Sequence, residues 1–276
     1  MAANIEFHRS KELSWLRGFA NLLRKENRSW WSTRRWWINA LLWPGMLGGL
    51  VGLMIFVVPT IAAQTGDPAV DAAGGLLPFA LQLGRMAFFE MGTMVLAIGV
   101  VVLCQDLIIE EKQSGVVEWL LTKPVARRSY VLAKLAASAG TVLVLLISLP
   151  ALVTYLMLSI RLRAPFPPLP FLGGVGILSA HTLFYLTLTL MLGTLYTSRA
   201  PILGFALGLL LSGNFLSGLL KPLVFVTPWM LAKVASLVVD AQPVPASLLW
   251  SPLTASLLWS AVFIFMALAK FENTEF

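Results

Sequence analysis

Charge is scarce in this sequence. Asp, Glu, Lys and Arg make up 12% of 276 residues and hydrophobic residues 58%, against roughly 25% and about 45–50% in a soluble domain. Cysteine occurs once, as Cys104 inside an apolar run; this excludes a disulfide framework within one chain and reads as a small core residue. The histidines are His8 and His181 alone, too few for an H-E-x-x-H pair or a multi-histidine metal site. No Gly-Lys dipeptide occurs anywhere, so the glycine-rich loop that cradles phosphates is missing and the chain is not expected to hydrolyse ATP itself. The first 35 residues are polar and basic rather than a short apolar stretch ending in small residues, so no cleavable secretion signal is expected.

What the sequence has in quantity is long apolar runs without β alternation, and such runs cross a bilayer as helices because a lone helix satisfies its own backbone. Six spans are expected: Trp37 to Ile61; Met86 to Cys104, with a turn or two toward Ile109; Leu135 to Ile160; Phe171 to Tyr196; Ala200 to Leu220; and Leu248 to Ala269. The expected fold is an all-α polytopic membrane protein. Its parts are a cytoplasmic amphipathic helix over 1–36, a six-span domain over 37–270 with a cytoplasmic loop at 106–134, an outer interfacial segment at 222–249, and a tail at 271–276. The outer segment is broken by Pro228, Pro243 and Pro245 and carries Lys233 and Asp240. It is read as one or two short interfacial helices, with a seventh crossing as the alternative.

Orientation comes from the basic residues. With the N-terminus inside, 15 of the 20 Lys and Arg are cytoplasmic, and only Arg85, Arg161, Arg163, Lys221 and Lys233 lie outside. The positive-inside rule therefore places both termini and the 106–134 loop in the cytoplasm of a cell with this chain in its inner membrane. The net charge of +7 has the same origin; it is juxtamembrane and does not point to nucleic acid. In the N-terminal segment, Leu13, Leu16, Ala20 and Leu23 form an apolar stripe, while Arg17, Arg24, Arg28 and Arg35 form a basic one. The run "SWWSTRRWW", Ser29 to Trp37, puts four tryptophans and two arginines at the entry to the first span, where such side chains favour headgroup depth. The segment reads either as a lipid-surface anchor alone or as one that also braces a cytoplasmic partner.

One island has the charge density of a soluble protein: "EEKQSGVVEWLLTKPVARRSYVLAK", Glu110 to Lys134. Glu111, Ser114 or Gly115, and Glu118 share a helical face, with Val117, Leu120 and Leu121 as its apolar back. Gly115 permits a bend, Pro124 stops the helix, and Arg127 and Arg128 are expected to return the chain to the headgroups.

Through Glu110, Glu111, Gly115, Glu118, Leu120, Leu121, Pro124, Arg127 or Arg128, and Lys134, this island resembles the loop between the second and third spans of type-2 ABC exporter permeases. Val117 and Ala126 stand where that family often has Leu and Ser. The resemblance implies two permease copies, or a copy and a paralogue, each with an ATP-binding-cassette ATPase chain that holds the ATP and Mg. No cofactor is implied in this chain. It also implies that the loop forms a coupling helix seated in a groove of the ATPase.

Within the spans, Glu90 calls for a reason, since an intramembrane acid is costly. Near the outer end of span two, it reads as a partner of Arg85 or as a polar gate on the pathway. Gly45 and Gly49, Gly48 and Gly52, and Gly204 and Gly208 followed by Ser212 are small-residue repeats that let helices approach closely, and the resemblance places spans one and five near the dimer seam. His181 reads as a packing residue near Ser179 and Thr182. The alternative is a serine intramembrane protease using Ser212 and His181, disfavoured because the histidine precedes the serine. Short outer loops leave an amphiphile, whether drug, peptide or lipid-like, as the expected cargo. Copper or sulfur species for metalloenzyme maturation are the alternative, although the ten methionines are scattered.

Overall fold

A computed structural model describes residues 16–219 and 221–273. Every described regular element is helical. A surface helix α1 (Phe19–Trp31) precedes α2 (Arg35–Thr65) and α3 (Leu76–Gln113). The short α4 (Val116–Leu121) leads to α5 (Arg127–Leu162), α6 (Pro168–Leu195) and α7 (Arg199–Leu219). After two 3₁₀ turns, Lys221–Phe225 and Pro228–Met230, come α8 (Leu231–Val239) and α9 (Ala246–Glu272).

Five of these, α2, α3, α5, α6 and α9, are long and apolar enough to span a bilayer. The segment expected as the fifth span is α7, whose described apolar part, Arg199–Gly213, is shorter than the others; Leu220 lies outside the described residues. Ion pairs mark the two ends of the bundle. Arg199, at the start of α7, pairs with Asp106 on α3 at 2.6 Å, and the end of α9 is bound to the start of α5 through Glu272 and Arg128. At the opposite end of the bundle Arg85 pairs with Asp240, just past α8.

The second span begins ten residues earlier than the hydropathy pattern suggests. Gly74 and Gly75, both at positive φ, end the connection, and Leu76 opens a helix that runs straight through Pro78 at its first turn, where a missing N–H costs nothing. The outer interfacial segment also differs from expectation. α8 is helical, but Leu231, Val234, Ala235 and Val239 are buried and pack into the same core as Phe89 and Phe171. Ser251 Oγ and Trp259 Nε1 of α9 donate to the carbonyls of Phe225 and Val226 at 3.0 and 3.1 Å, so the segment folds back among the helices. Its prolines interrupt the helix without expelling it, because neighbouring side chains take up the freed carbonyls.

α6 is the axis, buried along most of its length by α3, α7, α8 and α9. Its N-terminal end holds an aromatic knot: Phe171 lies edge-on to Phe89 and Tyr155 with centroids 5.5 and 5.3 Å apart and stacks on Phe88 at 6.4 Å. Three helices carry a π-turn: Leu53–Val57 in α2, Ala87–Met91 in α3 and Leu143–Ser148 in α5. Pro59 and Pro150 follow the first and third directly. A proline clashes with the carbonyl four residues back, here Ile55 and Leu146, and the widened turn absorbs that clash.

Candidate functional site

The end of α3 is fixed before the loop begins. Lys112 Nζ donates to the carbonyls of Gly193 and Thr194 at 3.0 and 2.8 Å, satisfying the orphan acceptors at the C-terminus of α6 with a cation placed at the negative end of that helix dipole. Gln113 Nε2 adds a bond to Thr197 O at 2.9 Å. The chain then turns at Gly115, φ 70°, a left-handed conformation that side chains with a Cβ resist. The expected bend is there, but it is sharp enough to end one helix and start another. Glu111 and Glu118 therefore do not share a helix face.

α4 is the protruding piece. Val117 and Leu120 are buried beneath it, whereas Glu118 is exposed and Trp119 stands 61% exposed at the tip. Lys123 Nζ lies 4.5 Å from the Trp119 ring centroid, a cation–π contact that holds the indole upright. Thr122 and Pro124 are exposed and close the turn. Leu121 lies within α4. Sequence reasoning passed over Trp119 because a lone tryptophan in an apolar stripe reads as core.

Behind the tip, Glu111 enters a charged cluster joining three helices. Lys25 Nζ on α1 donates to Glu111 Oε1 at 2.7 Å, and Tyr130 Oη on α5 donates to Glu111 Oε2 at 2.7 Å. Lys134, also on α5, lies 3.2 Å from both Glu111 Oε2 and Glu26 Oε2. Lys134 is 3% and Glu26 5% exposed, so each charge needs its partners: Lys134 has both carboxylates, and Glu26 has Lys134 and, at 3.5 Å, Lys25. Burial alone would lower the pKa of Lys25, but its hydrogen bond to Glu111 and the charges of Glu111 and Glu26 outweigh it and hold the group above its ordinary value. An open cavity of about 530 Å³ separates α1 from the end of α3, lined among others by Trp30, Arg35, Asp106 and Glu110. Glu110 itself is exposed.

The face of α1 is rotated from the expected one. Leu22, Glu26 and Trp30 are buried, Leu16 and Leu23 are half-buried and Ala20 is exposed; Leu13 lies outside the described residues. The helix turns to deliver Glu26 to Lys134. Arg17, Arg24 and Arg28 remain exposed as expected, and so do Trp31, Trp36 and Trp37. The backbone N–H of Ala126 donates to Arg17 O at 3.0 Å, tying the start of α1 to the end of the loop.

Arg127 and Arg128 both bind the end of α9. Arg127 Nη1 donates to Glu272 O at 2.6 Å, and Arg128 makes a two-pronged pair with the Glu272 carboxylate, its Nη2 2.9 Å from Oε2.

Inside the bundle, Glu90 pairs with no cation among the described residues; Arg85 is engaged by Asp240 instead. Glu90 lines a cavity of about 160 Å³ together with Thr93, Met94, His181, Gly213 and Trp229. Ser212 Oγ donates to Leu209 O at 2.8 Å within its own helix, so Ser212 and His181 are not joined as a nucleophile and base. Gly48 and Gly52 face α5 within the chain, where Val153 and Met157 approach. Gly45, Gly49, Gly204 and Gly208 are exposed with open space above them.

No curated protein matches the chain. A model of the ABC-2 family transporter proteins matches residues 20–276, a span that takes in α1, the loop with α4 and all the long helices. The chain belongs to the ABC-2 family of transporter proteins and is a multi-pass transmembrane subunit of an ABC transporter.

Proposed function

We propose that this chain is the permease of an ATP-driven exporter in the inner membrane, working as a pair of permeases with two ATPase chains that carry ATP and Mg. The end of the bundle that bears α1, α4 and the end of α9 faces the cytoplasm. α4 is the coupling helix, and Glu118 and Trp119 are its contact with the ATPase. The cargo is an amphiphile.

The observation that carries this reading is the contrast between the tip and its base. An acid and an aromatic stand exposed on a six-residue helix, while the residues on either side are fixed: Lys112 to α6, Gln113 to the turn that follows α6, Glu111 to α1 and α5, and Arg128 to α9. A solvated loop needs no such base. A lever does, because force applied at α4 has to reach α3 and α5 without being lost to bending; the resulting tilt is a hinge or shear movement rather than chemistry in this subunit.

Affinity capture of the ATPase by detergent-solubilised permease tests it. Glu118→Lys leaves the helices inserted and weakens capture by about 10- to 100-fold, the loss of a charge-assisted contact, while Ser212→Ala changes nothing. Full capture and transport by Glu118→Lys, with loss of transport in Ser212→Ala, sinks the coupling reading.

A further inference from the structure

Of the three π-turns, the one at Ala87–Met91 has no proline behind it. It is the one that carries Glu90. A π-turn inserts one residue and re-aims the side chains around it, and such turns concentrate at functional positions. Glu90 is five residues, about 8 Å of helix rise, deeper than Arg85. A carboxylate at that depth is costly unless something offsets it, and among the described residues no Lys or Arg lines the cavity it faces.

The rest of the cavity is prepared to offset it. His181 is 4% exposed, and its Nδ1 has no hydrogen-bond partner among the described residues. Trp229 Nε1 donates to Leu209 O at 3.1 Å, which fixes the indole against Gly213. Any Cβ at Gly213 would stand 2.5 Å from the indole ring, so the glycine is what lets the ring sit there. Met94, Leu210 and Ala232 supply apolar wall. A volume of about 160 Å³ holds about five waters or one small alkylated nitrogen, but not a bulky polycyclic compound. A metal ion is disfavoured, since among the described residues no three His, Cys, Asp or Glu side chains are grouped to hold one.

We propose that this cavity binds the ammonium head of an alkylamine-type amphiphile, with Glu90 as its counter-charge, His181 Nδ1 as acceptor for its N–H and Trp229 as an aromatic wall. This deepens the exporter reading, on which it rests, by naming the class of cargo. A cation against a desolvated indole and a carboxylate gains from both, and a neutral head of the same length gains from neither.

The test uses the full-length permease in lipid nanodiscs without the ATPase, with dodecylammonium and dodecanol as probes in a scintillation proximity assay and empty nanodiscs as baseline. Wild type binds dodecylammonium saturably, Glu90→Asp stays within about threefold, and Glu90→Gln loses about tenfold or more; dodecanol does not distinguish the variants. Equal affinity of wild type and Glu90→Gln for the ammonium overturns the proposal. So does equal, saturable binding of dodecanol. If Glu90→Gln does not fold, a diazirine-bearing dodecylamine on wild type decides the matter: labelling at Glu90, Met94 or Trp229 supports the site, and labelling confined to other residues overturns it. Because no ATPase is present, failure here leaves the coupling reading intact, and failure of the capture experiment leaves this result intact.

Discussion

Lys134 and Glu26 meet at 3.2 Å across the boundary between the surface helix and the third long span, and both are almost fully enclosed. Removing Lys134 leaves Glu26 with Lys25 alone, at 3.5 Å, and takes a cation from Glu111; breaking a buried pair costs about 3–5 kcal/mol, far more than an exposed ion pair is worth. Lys134→Met is therefore expected to lower the unfolding midpoint of the solubilised permease sharply, followed by thermal scanning. Adding Glu26→Leu should recover much of the loss, because an apolar pair of similar volume replaces a charged one at little cost. A double variant no more stable than Lys134→Met alone would show that Glu26 is not the decisive partner.

Gly115→Ala separates backbone strain from packing. No atom lies within 4 Å of the added methyl group, so the only penalty is the left-handed φ, about 1–2 kcal/mol. Stability is expected to fall by that small amount while ATPase capture falls more, since the strain is relieved by re-aiming α4. Unchanged capture would mean that the direction of α4 is set elsewhere, by Pro124 or by the Ala126–Arg17 bond.

Cysteine accessibility reports the orientation. Thr122, Asp67 and Ala164 are all exposed, and in a background lacking Cys104, Thr122→Cys is expected to react only with reagents that enter the cytoplasm. Asp67→Cys and Ala164→Cys are expected to react from outside. External labelling at Thr122 inverts the topology and with it the assignment of α4.

For the pairing of two permeases, the open glycines on α7 make a definite forecast. A Cβ at Gly208 meets no atom within 4 Å among the described residues, so Gly208→Leu is expected to leave the stability of the monomer unchanged while the dimer fraction in detergent falls, because the new side chain fills space a second backbone would use. A dimer fraction equal to wild type places the seam away from α7.

Hydropathy alone carried the long helices, since each apolar run has no other way to satisfy its backbone in lipid. The turn at Gly115 and the stop near Pro124 were equally plain, as both follow from backbone sterics of single residues. What stayed hidden depended on partners far along the chain. Glu26 sits between Leu22 and Trp30 in sequence like any solvated residue of a surface helix, and only the fold brings Lys134, 108 residues on, to meet it. An acid centred in an otherwise apolar i, i+4, i+8 row was the available signal. The start of α3 was missed because Gly74, Gly75 and Pro78 punctuate like a loop, although a proline in a first turn is no obstacle. Proximity in sequence made Arg85 one reading of Glu90's partner, beside a polar gate, whereas Asp240 takes that arginine by folding back with α8.

The two-pronged pair between Arg128 and Glu272 joins residues 144 positions apart, and Glu272 ends the last helix. During synthesis, then, the loop carrying α4 is made early and braced late. Until α9 has entered the membrane, the start of α5 lacks its contacts with Glu272 and a partner arriving at α4 would meet an incompletely braced surface. The order of translation thereby favours assembly with finished permeases over fragments, a preference that Arg128→Ala would relax and that capture of the ATPase by chains truncated before α9 would measure.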